Sequence, residues 1–421
     1  EAWNPDLPTT PPGFGDIKPL PEPLRVGDQT MSSVGISLTG APAQVGGGTA
    51  WFRPLGMTLV ASGLSPRTLG EAGGKLGPML VQVRPGPGTA AGKAKIALEE
   101  GSAVGFSLAT GDIDLTGIGT VTYRRGNRVL TFGHPFMTLG AVELPMTTCW
   151  VYDVFTSYMS SYKMASPVEE IGSSTQDRPF SVAGEIGKTA RMIPVEVRLR
   201  DEHSTQPMVL RSRIFDHPQL TGILASLVVS EAITRIRPYQ GEAMARVTAS
   251  ITGEGVGTIQ RTNLYYSPGD IRLDASTDLD IFLSLFRSNL FEPVRIQKVT
   301  LDVQFFQTRQ TANIERVLLD KREFEPGETI EVGVEVRPFK GANIERQTLR
   351  VEIPENIADG AATLIVHGGI LTGSTAGMDT SPASGLGQAL ALEDVRQANS
   401  IKQMLERFAK LETNNQIVAR V

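Results

Sequence analysis

The chain has 421 residues, and at roughly 150 residues per domain this length predicts two or three domains. Its 40 basic and 45 acidic residues give a formal net charge of −5, so no general basic field is present and no nucleic-acid partner is predicted. The single cysteine, Cys149, excludes an intramolecular disulfide, Cys-x-x-Cys redox chemistry and a zinc site built on several thiolates. A mechanism that requires a histidine base must choose among His134, His203, His217 and His367.

The ends of the chain and its longest apolar runs bear on where the protein resides. No apolar run approaches the ~20 residues that span a bilayer, so no transmembrane segment is predicted. The first residue is Glu1 and not methionine, and no signal peptide is visible. We therefore expect a processed product, an excised piece or a fragment whose missing start can carry a targeting signal.

The first part of the chain is divided by proline and glycine. Residues 1–23 are rich in proline and lack an apolar period, which predicts an extended linker. Short strand-like segments separated by turn residues follow, and they predict a small β-barrel-like domain over residues 24–190.

The clearest feature of this region is a hairpin that ends at a histidine. The strand Gly119–Tyr123 leads through a turn at Gly126 and Asn127, two residues that tolerate a positive φ. The returning strand Arg128–Phe132 runs directly into the sequence Gly-His-Pro at His134. A histidine between glycine and proline lies in a sharply turned backbone, which suits a functional side chain.

The middle of the chain, residues 191–292, predicts a mixed α/β region. Alternation around Val197 predicts a half-buried strand. Asp216 is predicted to cap a helix that opens near Pro218, whose apolar residues, such as Leu224, recur on one face.

The last part of the chain changes its apolar period. Residues 293–370 alternate with period two between turns, which predicts an immunoglobulin-like β-sandwich. Residues 371–421 read as a linker followed by an amphipathic helix around Ile401 and Phe408, which we expect to pack and not to recognise a partner. The chain as a whole is therefore predicted to be mainly β.

General motif searches exclude several kinds of chemistry. The sequence contains no Gly-x-Ser-x-Gly elbow, no phosphate loop and no His-Glu-x-x-His helix, so no cofactor and no metal is predicted. His203 and His217 lie near Asp201, Glu202 and Asp216, and a metal site there is conceivable, although solvated surface residues are the better interpretation. His367, before two glycines, is predicted to be a strand-to-turn residue.

Two sequence blocks around His134 carry a family resemblance. Thr131–Phe136, preceded by Gly117–Tyr123, resembles the catalytic-histidine region of the SpoIVB peptidases, the stage IV sporulation serine endopeptidases. Ile171–Gly187 resembles the second block of that family, an Ile-Gly segment that leads to a Gly-x-x-Gly turn. The resemblance covers residues 101–194, and the combination of blocks is more specific than either alone.

The resemblance implies that His134 is the general base of a serine endopeptidase with a protein or peptide substrate in the cell envelope, either secreted or periplasmic. The nucleophile of the family lies in a Gly-Met-Ser-Gly-Ser-Pro motif, which this chain lacks. The resemblance therefore implies a serine-bearing segment of the same precursor upstream of Glu1. Ser107, Ser173 and Ser181 are internal substitutes only if the fold brings one within about 3 Å of His134.

Asp177, in the second block, is a candidate to orient the imidazole of His134, although the family resemblance carries no acid to this position. An ion pair with Arg178 or a turn-capping role is an equally good interpretation of Asp177. The competing interpretation of His134 itself is a strand-end histidine satisfied by backbone hydrogen bonds.

Three functions are consistent with the sequence. The first is the histidine-bearing part of a SpoIVB-type peptidase, and the second is a non-catalytic envelope scaffold or protein-binding module that retains the peptidase fold. The third, a carbohydrate-binding or glycosidase β protein, is the weakest, because only Trp3, Trp51 and Trp150 can serve as sugar platforms and no pair of carboxylates stands out.

Overall fold

The computed structural model describes residues 17–36, 48–52, 57–79, 81–88, 95–156, 161–202, 204, 206–369 and 395–421. The chain divides into two compact units, Glu1–Met192 and Ile193–Val421. Both are built mainly from strands, as the sequence predicts. Within the described ranges, no helix has the length and apolar character needed to cross a membrane.

The first unit is a β structure with one α-helix among its described residues. Its elements, in chain order, are β1 Ile17–Val26, β2 Gln29–Ile36, β3 Thr49–Phe52, β4 Met57–Ser62, α1 Pro66–Leu76, β5 Val81–Pro85, β6 Ala103–Gly111, β7 Asp114–Arg125, β8 Arg128–Thr131, β9 Gly140–Ala141, β10 Pro145–Phe155, β11 Tyr162–Arg178 and β12 Ser181–Ile186. Residues 17–23, which the sequence assigns to a linker, form part of β1, and residues 1–16 lie outside the described residues.

Six antiparallel strands of this unit pair in a closed circuit. β6 pairs with β7 and with β10, and β10 pairs with β11. β11 then pairs with β12, β12 with β8, and β8 with β7. This circuit occupies the stretch for which the sequence predicts a small barrel-like domain. β1, β2 and β3 form a separate three-stranded sheet.

The predicted hairpin is present as β7 and β8. Arg125 pairs with Arg128, so a two-residue turn joins the strands. Gly126 takes φ +61°, whereas Asn127 does not have a positive φ. A glycine with positive φ at the first of two turn positions is the type II′ arrangement, whose twist suits a hairpin.

The second unit contains longer strands and several helices among its described residues. Its elements are β13 Met192–Arg200, β14 Met208–Phe215, α2 Thr221–Ile236, β15 Ala243–Gly253, β16 Gly257–Ser267, α3 Ile271–Ala275, α4 Thr277–Ser288, β17 Ile296–Phe306, β18 Ala312–Leu319, β19 Thr329–Pro338, β20 Glu345–Glu352, β21 Ile365–Gly368, α5 Ile401–Lys410 and β22 Ile417–Arg420.

The strands of residues 293–370 are divided among three sheets, and β21 pairs with β22, which lies outside this range. β17 pairs in parallel with β13 and antiparallel with β15, so the first strand assigned to residues 293–370 belongs to the sheet of the middle region. β18, β19 and β20 form a separate sheet. Its core around Val332 and Val334 is shared with Val366 of β21 and Ala419 of β22.

The helix predicted near Pro218 begins later and lacks the predicted cap. α2 begins at Thr221 after the N-cap Leu220, with no side-chain capping bond. The prediction for Asp216 is therefore wrong: its buried carboxylate forms an ion pair with Arg287 of α4. The guanidinium supplies the charge-assisted hydrogen bond that a buried carboxylate needs.

The predicted terminal amphipathic helix is confirmed as α5. Ser400 caps it by accepting a hydrogen bond from the backbone N–H of Gln403. Phe408 is buried, and its ring lies edge-on to Phe282 with centroids 4.9 Å apart. Residues 371–394, which the sequence assigns to a linker, lie outside the described residues.

Candidate functional site

The loop that carries His134, residues 132–139, starts from a constrained backbone. Phe132 takes φ +72° and Gly133 also takes φ +72°. A left-handed conformation is uncommon for a side chain as large as that of phenylalanine. The Phe132 N–H donates to the Thr120 carbonyl at 2.9 Å, which anchors the start of the loop to β7.

Two glycines of β7 are required by the aromatic rings of this loop. A Cβ on Gly117 would lie 2.4 Å from the ring of Phe136, and a Cβ on Gly119 would lie 2.6 Å from the ring of Phe132. Any larger residue would displace one of these rings. The Gly-x-Gly spacing in the first sequence block therefore has a physical reason, because it lets the residues that flank His134 pack directly on the strand.

The His134 imidazole is exposed, and its ring orientation is defined. Nδ1 lies 2.8 Å from the carbonyl oxygen of Pro135, and the ring stands perpendicular to Phe132 with centroids 5.3 Å apart. A carbonyl only accepts hydrogen bonds, so the neutral ring carries its proton on Nδ1. In this neutral tautomer Nε2 carries the lone pair, which a general base requires.

Asp177 binds the loop and not the imidazole. Its Oδ1 accepts the N–H of Phe136 at 2.7 Å, and its Oδ2 accepts the N–H groups of Met137 at 2.8 Å and Leu139 at 2.9 Å. Burial raises the pKa of this carboxyl, although the same N–H groups act in the opposite direction. Of the interpretations that the sequence leaves open for Asp177, the geometry matches the turn-capping role.

No hydroxyl of a serine forms a hydrogen bond with His134 within the described part of the chain. The Ser107 hydroxyl is buried and bonds to Thr116, and the Ser173 hydroxyl is buried and donates to the Ser174 carbonyl. Ser181 lies in β12, half-buried, and forms no hydrogen bond with the imidazole. The internal substitutes named from the sequence are therefore not brought to His134.

The other nucleophilic and imidazole groups do not form a second site. Burial raises the pKa of Cys149 to about 12, so this thiol stays protonated. His217 stacks on Phe215. Burial is the main cause that lowers the pKa of His217, and the positive charge of Arg287 lowers it further. His367 is buried within β21, and His203 lies outside the described residues. Within the part of the chain that is described, no group of three or more metal-ligating side chains occurs.

A buried polar row on β6 and β7 was not expected from the sequence. The Thr116 hydroxyl donates to Asp114 Oδ1 at 2.6 Å, and the Ser107 hydroxyl lies 2.7 Å from that of Thr116. Since the Thr116 proton points to Asp114, Ser107 is the donor in the second bond. The spacing of Asp114 and Thr116 at i and i+2 on one strand was the available signal.

Asp114 is expected to make the stability of the protein depend on pH. Burial raises its pKa from 3.8 to about 6. A pKa that is higher in the folded state contributes stability that is fully present below about pH 4 and is lost as the pH rises through about 6. The difference of about two pKa units corresponds to about 3 kcal/mol.

The variant Asp114→Asn tests this dependence, because its amide is neutral at every pH and its oxygen still accepts the bond from Thr116. Between pH 4 and pH 7, urea unfolding should show the variant gaining about 3 kcal/mol relative to wild type. Asp153→Asn, which neutralises an exposed carboxylate of β10, should change the profile little. If the free energies of unfolding of wild type and Asp114→Asn change in parallel with pH, Asp114 is not the source of the pH dependence.

Comparisons of this chain with family models, with curated proteins and with solved structures find no match.

Proposed function

We propose that the first unit supplies the general base of a SpoIVB-type serine endopeptidase that acts on protein or peptide substrates. The observation that carries this proposal is the geometry of His134: the side chain is exposed, and its Nδ1 lies 2.8 Å from the Pro135 carbonyl oxygen, so in the neutral ring Nε2 is the nitrogen that can accept a proton. The two sequence blocks support the same assignment, because they meet at this loop through Asp177.

In the proposed reaction, Nε2 of His134 takes the proton of a serine hydroxyl as the serine oxygen attacks the carbonyl carbon of the scissile peptide. The resulting imidazolium then gives this proton to the leaving amine, and an acyl-enzyme forms. Water, deprotonated by the same Nε2, hydrolyses the acyl group and restores the serine. The Pro135 carbonyl holds the ring in register throughout, although as a neutral acceptor it stabilises the imidazolium less than a carboxylate would.

The nucleophile in this proposal belongs to an upstream serine-bearing segment of the same precursor. The family resemblance supports this assignment, because the serine motif is missing from the 421 residues. The resemblance also supports a location outside the cytoplasm, either secreted or in the periplasm or cell envelope.

Labelling with a fluorophosphonate probe tests the proposal on the full-length gene product that contains this chain. We expect the wild type to be labelled and His134→Ala to lose labelling almost completely, because the serine proton has no acceptor. Arg125→Ala, a change of an exposed residue on β7, is the matched control and should be labelled like wild type. Equal labelling of His134→Ala and wild type would contradict the assignment of the base.

The second candidate function is a non-catalytic envelope scaffold or protein-binding module that keeps the peptidase fold. The observation that favours it is the lack of a serine hydroxyl bonded to His134 among the described residues. A full-length product that folds but is not labelled would favour the scaffold over the peptidase.

A further inference from the structure

The second unit contains a cavity of about 920 Å³ that has no part in the proposed peptidase reaction. It is lined by five segments of this unit: Asp201 just after β13, the connection from α2 into the start of β15, the end of β17 with the residues that follow, Tyr266 of β16, and the turn after β19. This volume lies at the upper end of the range for sites that take small molecules, which is about 300–1,000 Å³. The cavity can therefore hold several residues of an extended peptide.

One wall of the cavity is held rigid by Arg309. Its guanidinium lies between two rings, 4.1 Å from the centroid of Tyr266 and 3.8 Å from that of Phe339. It also donates to the Tyr266 hydroxyl at 2.8 Å and to the Thr311 hydroxyl at 2.8 Å, and it lies 3.8 Å from Glu242. These contacts hold Arg309 in place, so it positions the aromatic wall.

Two other cations of the cavity are not occupied in this way. The Arg237 guanidinium lies over the ring of Phe305 at 5.3 Å, and the Lys340 ammonium lies 5.3 Å from the ring of Phe339. Neither side chain forms an ion pair or a hydrogen bond with a described residue. Lys340 also takes φ +59°, an uncommon conformation that its turn imposes. The cavity thus presents two positive charges on aromatic surfaces.

The neutral lining indicates which anion fits. Tyr239 is 86% exposed and offers a free ring face, and the side chains of Gln240 and Thr308 offer donors and acceptors of the kind that pair with peptide groups. Asp201 and Glu242 also line the cavity, so a bound acidic ligand must direct its carboxylates to Arg237 and Lys340 and not to these two acids.

We propose that this cavity binds an acidic peptide segment that carries aromatic side chains, with Arg237 and Lys340 receiving its carboxylates and the rings of Tyr239 and Phe339 receiving its aromatic groups. This inference is independent of the peptidase proposal, because every lining residue belongs to the second unit.

Fluorescence anisotropy with a dye-labelled peptide of sequence Glu-Glu-Phe-Glu-Glu-Phe-Glu tests the proposal, and the same peptide with glutamine in place of each glutamate is its neutral counterpart. We expect the acidic peptide to bind at least tenfold more tightly than the neutral one. Arg237→Gln and Lys340→Gln should each weaken its binding about tenfold, since each removes one charge-assisted contact. Unchanged melting temperatures should show that both variants fold.

Lys402→Gln is the matched control, because it removes one exposed positive charge from α5, outside the cavity lining. We expect it to bind the acidic peptide like wild type. Equal affinity for the two peptides would overturn the proposal, and so would a loss in Lys402→Gln as large as in the cavity variants. Complete displacement of the peptide by an equal concentration of inorganic phosphate would also overturn it, since that result describes a general anion site.

Discussion

Replacement of Asp177 by alanine is expected to lower the free energy of unfolding by about 4 kcal/mol and to release the loop that carries His134. The carboxylate accepts three backbone N–H groups, those of Phe136, Met137 and Leu139. Asp177 is fully buried, so its removal leaves these donors without an acceptor beside them. A buried donor without a partner costs about 1–3 kcal/mol, and here three backbone N–H groups lose their acceptor at once.

Asp177→Asn separates the hydrogen bonds from the shape of the side chain. If the amide oxygen takes the place of Oδ2, it keeps the bonds to Met137 and Leu139, and the amide NH2 group faces the N–H of Phe136. One bond is then lost and two donors oppose each other. The asparagine variant should therefore lose about half as much stability as the alanine variant.

Urea unfolding measures these stabilities, and hydrogen exchange locates the change. The amide protons of Phe136, Met137 and Leu139 should exchange faster in both variants than in wild type, while those of β17 keep their protection. Asp153→Asn, which changes an exposed carboxylate of the same unit, is the control. Unchanged exchange at the three amides would show that Asp177 does not hold the loop.

The fold was predictable where the signal is local. The hairpin of β7 and β8 follows from a turn between two alternating segments, and α5 follows from apolar residues at helical spacing with a serine cap. The place of β17 was not predictable in this way. The alternation of apolar and polar residues in β17 is compatible with the sheet of β13 and β15 and equally with the sheet of β18 to β20. Its parallel partner β13 lies about a hundred residues earlier in the chain.

The candidate site was predictable to a similar degree. Glycine and proline around His134 identify a turned strand end, so the histidine could be singled out from its neighbours. The partners of Asp177 could not be predicted from the sequence. They are backbone N–H groups, which nearly every residue carries, and they lie some forty residues earlier in the chain. The role of Asp114 also depends on burial, which a short polar alternation does not specify.

Arg261 in the second unit is expected to have the largest effect of any charged side chain on the stability of that unit. Its Nε lies 3.1 Å from Asp278 Oδ1 of α4, with both side chains almost fully buried. Its other nitrogens donate to the carbonyl groups of Leu411 and Glu412, just after α5, and its guanidinium lies over the ring of Phe408. One side chain on β16 thus joins α4 to the C-terminal helix.

Arg261→Met should lower the free energy of unfolding by about 3–5 kcal/mol, because it leaves the Asp278 carboxylate buried without a cation and the carbonyl groups at the end of α5 without a donor. Arg261→Lys should be intermediate, since an ammonium keeps the charge but lacks the planar fork that reaches both helices. Equilibrium urea unfolding measures both, and chymotrypsin cleavage near Phe408 reports whether α5 is released.

The double variant Arg261→Met, Asp278→Leu decides whether the unpaired charge or the lost carbonyl bonds dominate. Removing Asp278 as well takes away the buried charge, so the double variant should be more stable than Arg261→Met alone. Cleavage near Phe408 should stay fast in both, because neither restores a donor to the carbonyl groups of Leu411 and Glu412. A double variant no more stable than the single one would assign the cost to the anchoring of α5, and Arg261 would then act chiefly as a cap for that helix.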